Sequence, residues 1–333
     1  MLIVHPLALW HCLKLKPEIV HFHNAELLPI ALILKLLGKK IIYDVHENVR
    51  KQWFAKKFNT SLILQFFFKI FDNIAQQNFN LIFAEKSYLE TYQHLAKASE
   101  VIYNYPDLDF FEPFFQQRIF PPQGKPVEFF YIGQISLARG IDTLIEGLAI
   151  LDKTHPNFIM HLVGGFEFDI ANLADISGLK GYNQVKNRLR FYGKSDPAKA
   201  FELTERCLAG VAILKSVGDF PGSYPTKVFE YMALGMPVIT SDFELYKPII
   251  DNHACGFCID PLNPTMLADK LSWLIENPQS AYTMGINGRL AVQNYYAWQQ
   301  EEIKLLAFYE RVLGNDSNNF QPITLAETVK SNL

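Results

Sequence analysis

Short apolar runs alternate with longer stretches of helical periodicity along almost the whole chain. In the first third, the runs "EIVHFH" (18–23), "KIIYDVHE" (40–47), "LIFAEKS" and "EVIYNYP" predict strands, and "AELLPIALILKLLG" predicts a helix that ends at Gly38. Strands that alternate with helices are typical of parallel sheets with helices on both faces. The pattern therefore predicts an α/β protein.

The same alternation starts again after a segment rich in proline, glycine and glutamine, "FEPFFQQRIFPPQGKPVE" (111–128). The helix "DTLIEGLAIL" (142–151) has apolar residues at i, i+3, i+4 and i+7, and "YYAWQQEEIKLLAFYERVL" (295–313) predicts one final amphipathic helix before a polar tail. Between these helices, strands are predicted at "VEFFYIG", "FIMHLVGG", "LRFYGKS", "AGVAILKS" and "PVITSD".

This organisation predicts two Rossmann-like domains in series, facing a cleft. We place the first domain at residues 1–113, a linker at 114–126 and the second domain at 127–294. The final helix, 295–316, is expected to pack back on the first domain, and residues 317–333 are expected to form a flexible tail. Ligands of open parallel sheets bind beyond the carboxyl ends of the strands, so the loops at those ends are the first places to look for chemistry.

The composition disfavours nucleic-acid-binding proteins and proteins built on disulfides. The 333 residues are 49% hydrophobic and 20% charged, and the net charge of −3 does not favour a nucleic acid as partner. Four cysteines do not suggest a disulfide framework, and "CGFC" (255–258) has neither the context of a redox motif nor a second CxxC for a zinc site.

Neither a signal peptide nor an apolar run long enough to span a membrane is found in the sequence, which favours a cytoplasmic protein. The basic, aromatic segment "VRKQWFAKKF" (49–58) precedes "SLILQFFFKIF" (61–71). The two segments together are compatible with an amphipathic element on a membrane surface and equally with a core helix that has a basic flank. Both interpretations stay open from the sequence.

The stretch "YPTKVFEYMALGMPVITSD" (224–242) predicts a short helix followed by a buried strand. Lys227, Glu230 and Tyr231 are expected to point away from the apolar face, which is formed by Val228, Phe229, Met232 and Ala233. A surface Lys–Glu pair at i and i+3 contributes only a few tenths of a kcal/mol. A lysine at a helix N-terminus can instead neutralise phosphate, and a glutamate can bind the vicinal diol of a ribose.

The loop "GQISLARG" (133–140) follows a predicted strand and places Arg139 directly before a helix. Glycine lets the backbone approach a ligand closely, and a helix N-terminus and an arginine both favour phosphate. The loop is neither a GxGxxG fingerprint nor a P-loop. A surface arginine in a tight turn is the alternative.

His23 and His46 each follow one of two successive strands, so we expect them to be neighbours. Each is either a functional side chain or a hydrogen-bonded histidine at a strand end. A metal is not expected between them, because no third ligand at a suitable spacing stands out. The pair Asp107 and Asp109 lies in a turn, and two carboxylates at this spacing are common by chance, so we assign it no role.

Taken in order, these motifs resemble the retaining glycosyltransferases of the GT-B fold, family 4 (glycosyl transferases group 1). The resemblance covers about Lys14 to Leu313 and rests on "KPEIVHFHNAELLP", "GKKIIYDVHE", "VIYNYPDLDFFEP", "YIGQISLARGIDTLIEGLAIL" and "YPTKVFEYMALGMPVITSD". It implies transfer of a sugar from a nucleotide-sugar donor to a glycan or lipid-linked acceptor, in the assembly of a surface polysaccharide or glycolipid. No cofactor and no metal are expected, because positive charge and a helix N-terminus stabilise the leaving diphosphate.

The resemblance also implies roles for single residues. Glu230 would bind the ribose, and Arg139 and Lys227 the diphosphate, with Gly133, Gln134 and Thr226 completing the donor site. His23 would be catalytic, at the reacting sugar, together with Glu230. His46 and Glu47 would border the acceptor.

Three departures from the family pattern leave alternatives open. Gln134 stands where many members have arginine, Gly222 stands where they have the first of two acidic residues, and the first strand comes so early that the first domain is expected to be incomplete. The chain is then either a glycosyltransferase or a non-catalytic or weakly active remnant that binds nucleotide or a partner chain. A GT-B epimerase is a further alternative, and the lack of GxGxxG disfavours a nicotinamide-dependent oxidoreductase. A peripheral contact with the inner membrane face also stays open.

Overall fold

The computed structural model describes residues 4–46, 62–92, 95, 97–119, 126–167 and 170–314. The chain divides into two compact units. The first unit is Met1–Asn104 together with Gln299–Leu333, and the second is Tyr105–Trp298.

Each unit is built on a sheet of parallel strands, which confirms the predicted α/β class. The strand order is β1-β2-β3-β4 in the first unit and β10-β9-β8-β5-β6-β7 in the second. The strands are β1 (Ile19–Phe22), β2 (Lys40–Val45), β3 (Asn80–Phe83), β4 (Ser99–Val101), β5 (Val127–Ile132), β6 (Phe158–Val163), β7 (Leu189–Gly193), β8 (Cys207–Ala212), β9 (Val238–Ser241) and β10 (Gly256–Ile259).

Helices precede, connect and follow these strands. In chain order they are α1 (Val4–Leu15), α2 (Leu28–Leu36), α3 (Leu62–Asn78), α4 (Leu108–Gln116), α5 (Ile141–Leu151), α6 (Leu173–Ser177), α7 (Tyr182–Val185), α8 (Pro197–Glu202), α9 (Thr226–Ala233), α10 (Lys247–His253), α11 (Pro264–Glu276), α12 (Pro278–Tyr295) and α13 (Trp298–Leu313). In the described ranges, none is both long and apolar enough to cross a bilayer.

Burial along the strands shows why the sheets form. Every residue of β8 is buried, as is every residue of β2 after its first. In β5, Phe129 and Tyr131 belong to one apolar cluster and Phe130 to another, since successive side chains point to opposite faces of a sheet. Apolar cover on both faces is the usual condition of a parallel sheet.

The end of α9 positions the loop that precedes β9. Gly235 has a φ of 65°, and its N–H donates to Met232 O at 2.9 Å. The N–H of Met236 donates to Tyr231 O at 2.9 Å, which completes a Schellman motif. Helix α9 therefore ends before Gly235, because a left-handed conformation at that position favours glycine.

Three expectations about local structure are corrected. Tyr231 is fully buried rather than turned away from the apolar face, because its ring packs directly on Gly210 of β8. The predicted helix 295–313 is broken after Tyr295, and α13 begins at Trp298, because Tyr296 turns its ring towards Phe229. The segment containing Cys258 forms an edge strand, β10, which was not among the predicted strands.

The division of the structure differs from the predicted domain limits. The units separate after Asn104 because α4 belongs to the second unit, where Phe111 packs on Phe201. Within the first unit, α13 contributes Glu301, whose Oε2 accepts a hydrogen bond from the N–H of Tyr103 at 3.0 Å. Several expectations lie outside the described residues: Glu47, the segment 49–58, linker residues 120–125 and the tail 317–333.

Candidate active site

The second unit contains a cavity of about 370 Å³ beyond the carboxyl ends of β5 and β8. It also meets the N-terminus of α9, where Thr226 and Lys227 lie. Of the residues predicted for a donor site, the cavity is lined by Gly133, Gln134, Arg139, Thr226 and Lys227. The structure therefore brings together side chains and backbone from the loop after β5 and from the loop that connects β8 to α9.

Glycines let the loop after β5 fold tightly. A Cβ on Gly164 would lie 1.7 Å from Gly133 O, so no other residue fits at that close approach. The hydroxyl of Tyr131 donates to Gln134 O at 2.5 Å and fixes the start of the loop. Gly140, with a φ of 66°, then turns the chain into α5.

Arg139 supplies positive charge to the cavity. Its guanidinium lies over the ring of Phe220, 5.3 Å from the centroid. In the described part of the chain no carboxylate forms an ion pair with it. An arginine beside a cavity without a carboxylate partner is available to bind an anion such as phosphate.

Lys227 and Glu230 bind each other. The Nζ of Lys227 lies 2.9 Å and 3.0 Å from the two carboxylate oxygens of Glu230, as expected for an i, i+3 pair on one helix face. Lys227 lines the cavity, and the side chain of Glu230 is 17% exposed. The cation and the carboxylate that were predicted to contact diphosphate and ribose thus neutralise one another in this structure.

Three tyrosines to which sequence reasoning gave no supporting role hold the loops of the cavity in place. Besides Tyr131, the buried hydroxyl of Tyr231 accepts from the N–H of Ile132 at 3.0 Å. The hydroxyl of Tyr246 donates to Phe220 O at 2.6 Å and lies 3.0 Å from Ser223 O, which fixes the loop before α9. Aromatic side chains far apart in sequence give no local pattern from which such contacts can be predicted.

The first unit holds a separate cluster of histidines. The predicted neighbours His23 and His46 are confirmed: His23 Nδ1 lies 2.8 Å from His46 Nε2. Sequence reasoning missed Asp44, whose Oδ2 lies 3.2 Å from His23 Nδ1 and 3.1 Å from His46 Nε2. It also missed His21, which completes the cluster. The premise that no third ligand lies near His23 and His46 is therefore wrong.

The pKa values in this cluster follow from burial and mutual charge. Burial alone would raise the pKa of Asp44, but the neighbouring imidazoles of His21 and His46 outweigh it and lower the pKa to about 2. Partial burial lowers the pKa of His23, and the nearby His21 and His46 lower it further, against the opposing pull of Asp44. Near neutral pH, a carboxylate thus stands beside an uncharged imidazole.

Two other motifs have structural explanations. Asp107 caps α4, because its Oδ1 accepts from the N–H of Asp109 at 3.0 Å. Burial raises the pKa values of Cys255 and Cys258 to about 12, so both are thiols at neutral pH and poor redox nucleophiles. The structure gives neither motif a part in the cavity or in the histidine cluster.

Several curated proteins are similar to this chain in sequence. The spore coat protein SA of Bacillus subtilis is 23% identical over 56% of this chain and 49% of its own length. A phosphatidyl-myo-inositol mannosyltransferase of Mycobacterium tuberculosis is 27% identical over 63% of this chain and 53% of its own. The chain spans about half the length of the curated relatives it matches.

Among solved structures, Anabaena Alr3699/HepE in complex with UDP superposes with a TM-score of 0.70 at 15% identity, over 92% of this chain and 81% of that one. This likeness shows that the chain has the GT-B fold, with two Rossmann-like domains. The profile of the family described as glycosyl transferases group 1 matches residues 114–291, which include the whole cavity of the second unit. The chain belongs to the glycosyl transferases group 1 family.

Proposed function

We propose that the chain transfers a glycosyl group from a nucleotide-sugar donor to a glycan or lipid-linked acceptor, with retention of configuration, as a family 4 enzyme. The observation that carries the proposal is the cavity of about 370 Å³, in which Arg139, a glycine-lined loop and a helix N-terminus face one space. A helix N-terminus and an arginine without an acidic partner together favour a diphosphate.

In the proposed reaction, the bond between the anomeric carbon and the diphosphate oxygen breaks. The new bond forms to an acceptor hydroxyl oxygen on the same face of the sugar, and the hydroxyl proton passes to the departing phosphate. Arg139 and the N-terminus of α9 stabilise the negative charge on the leaving group, so this step needs no metal ion. His23 acts at the reacting sugar, and His46 and Glu47 border the acceptor.

The Lys227–Glu230 pair has to open when a donor binds. Lys227 then turns to the diphosphate, and Glu230 accepts hydrogen bonds from the ribose hydroxyls. Gly222 offers no side chain where a second acidic contact would be expected. The missing acidic side chain at position 222 supports one alternative, which is a non-catalytic or weakly active chain that binds nucleotide or a partner chain without turnover.

Assembly of a surface polysaccharide or glycolipid is the proposed setting, in the cytoplasm and at the inner membrane face. A lipid-linked acceptor would bring the chain to that surface, and the relative from Mycobacterium tuberculosis has a lipid in its name. The basic, aromatic segment 49–58 is the proposed membrane contact.

The first experiment is thermal unfolding of the full chain with UDP, GDP, ADP, dTDP and NAD. A ligand at 100 times its Kd adds about 2.7 kcal/mol, or about 5 to 10 °C for a unit of this size. We expect a shift with one nucleoside diphosphate and none with NAD. Arg139→Ala and Glu230→Gln should reduce the shift, whereas Arg190→Ala, which changes an exposed arginine of the same unit, should keep it.

Turnover separates the two candidate functions. Release of nucleoside diphosphate from the matching nucleotide-sugar, with the anomeric configuration of the product followed by NMR, tests transfer and retention. Binding without turnover would favour the non-catalytic alternative. A cooperatively folded sample that no nucleoside diphosphate stabilises, or a shift that survives in Arg139→Ala, would contradict the proposed donor site.

A further inference from the structure

The histidine cluster of the first unit arises from two short motifs, "HFH" (21–23) and "DVH" (44–46). Residues two apart in a strand point to the same face. The parallel register pairs Phe22 with Tyr43, so the next positions, His23 and Asp44, lie side by side where β1 and β2 end. Four side chains with metal-binding atoms therefore project from one face at one strand end.

The three imidazoles converge on one oxygen atom. Asp44 Oδ2 lies 3.5 Å from His21 Nε2, 3.2 Å from His23 Nδ1 and 3.1 Å from His46 Nε2. A tetrahedral site with metal–ligand bonds of about 2.0–2.1 Å separates its ligand atoms by about 3.3 Å. The distances to Asp44 thus match the edges of such a site. His46 Nε2 lies 2.8 Å from His23 Nδ1, which is closer than two ligands of one ion, so His46 borders the site.

Two buried atoms of the cluster lack hydrogen-bond partners among the described residues. They are His21 Nε2 and Asp44 Oδ1, both turned away from solvent. Buried polar atoms are nearly always paired, so a hydrogen-bond network alone leaves this arrangement incomplete. Tyr309 lies 2.5 Å from His21 Nδ1 and directs the other ring nitrogen, Nε2, towards Asp44. Such an outer contact is typical of a histidine that binds a metal.

We propose that the cluster binds a divalent first-row transition metal ion such as Zn²⁺ through His21 Nε2, His23 Nδ1 and Asp44 Oδ2, whose ligand atoms all lie within 4.8 Å of one another. Imidazole and carboxylate ligands suit Zn²⁺ and its neighbours, whereas Mg²⁺ and Ca²⁺ prefer oxygen ligands alone. Side-chain exposure of 55% at His23 and 38% at His46 gives the ion access from solvent.

A second cluster, formed by Glu128, His161 and Cys207, is the natural internal control. Both ring nitrogens of His161 already have partners: Glu128 at 3.0 Å and the hydroxyl of Tyr192 at 2.8 Å. Burial raises the pKa of Cys207 far above neutral, so its sulfur stays a thiol and binds metal poorly. The observations therefore favour the histidine cluster of the first unit.

The ion site shares His23 with the proposed transfer reaction, so a bound ion would compete with that role of His23. Its test needs no sugar donor and therefore fails separately from the test of the donor cavity. The full chain, without a histidine tag, is freed of metal and titrated with Zn²⁺ against a chromophoric chelator. We expect one Zn²⁺ per chain. His23→Gln, at a half-exposed position that tolerates change, should weaken binding by more than about 100-fold, beyond the loss typical of an outer-shell partner.

Two further variants separate binding from structure. Tyr309→Phe should weaken Zn²⁺ binding by about 10-fold while His21 keeps its place, as expected for an outer-shell contact. His161→Gln, in the control cluster, should leave binding unchanged. Circular dichroism of each variant verifies that the chain is folded.

Co²⁺ gives a spectroscopic test of the ligands. We expect the absorption bands of tetrahedral Co²⁺ without the charge-transfer band of a thiolate ligand. Failure to retain Zn²⁺, equal binding in His23→Gln, or a thiolate band that disappears in Cys207→Ser would each overturn the proposal.

Discussion

The substitution Tyr231→Phe tests whether one buried hydroxyl stabilises the strand ends beside the cavity. Tyr231 lies in α9 and is fully buried. Its hydroxyl accepts from the N–H of Ile132 at 3.0 Å and donates to Val211 O at 3.3 Å. Ile132 ends β5 and Val211 lies near the end of β8, so one oxygen atom connects the helix to both strands from which the cavity loops leave.

The expected cost follows from the groups left behind. The substitution removes one oxygen atom and leaves the ring packed on Gly210. The N–H of Ile132 then lacks its partner, and a buried donor without a partner costs about 1–3 kcal/mol. We expect the free energy of unfolding, measured in urea, to fall by that amount with an unchanged m-value.

Tyr192→Phe is the matched control. Tyr192 also loses one hydrogen bond, to His161 Nδ1, but 42% of the residue is exposed, so water replaces the hydroxyl. We expect a change within about 0.5 kcal/mol, as for most surface substitutions. Equal effects of the two variants would refute the reasoning that the buried hydroxyl supports the strand ends.

Three further predictions concern single residues. A Cβ on Gly140 would lie 2.6 Å from Ile213, whereas a Cβ on Gly193, with the same φ of 66°, would meet nothing within 4 Å; urea unfolding should therefore show a larger loss for Gly140→Ala than for Gly193→Ala. The pKa of Asp44 is lowered from 3.8 to about 2, so its carboxylate stabilises the fold by about 2 kcal/mol above pH 4. The free energy of unfolding of wild type should therefore exceed that of Asp44→Asn by this amount at pH 5–7, and the difference should disappear as the pH falls from 4 to 2. Burial raises the pKa of Cys255 to about 12, so a maleimide at pH 7 should modify this thiol slowly until the chain unfolds, and fast modification in the native state would contradict its burial.

The sequence predicted the strands well where burial is continuous. The run "VEFFYIG" gives β5 at Val127–Ile132, and "KIIYDVHE" gives β2 at Lys40–Val45, because both are covered on two faces and read as apolar runs. Strand β10 was missed because it is a four-residue edge strand in which only Ile259 is buried. A short, half-exposed run carries too little apolar pattern to be told from a turn.

The candidate sites could likewise be predicted only in part from the sequence. Loop chemistry predicted Arg139 and Lys227 because glycine, a basic residue and a helix start lie together in sequence. Asp44 and His21 were missed because their closeness depends on the register of β1 and β2, which the sequence of either strand alone does not state. Residues two apart in a strand lie on one face, so each of "HFH" and "DVH" places its two polar side chains together. The spacing within one strand does not show that these two faces meet.

The ion pair between Lys227 and Glu230 is compatible with binding of a donor in the cavity. Lys227 is 31% exposed and Glu230 is 17% exposed, and a pair of this kind contributes about 0–1 kcal/mol. Opening it therefore costs little compared with the roughly 8 kcal/mol of a ligand bound at 1 μM. The close approach of Gly133 and Gly164 and the position of Arg139 are fixed before any ligand arrives. The cavity thus combines an anion pocket with one adjustable ion pair, and in the proposed donor complex a ribose replaces Lys227 beside the half-buried carboxylate of Glu230.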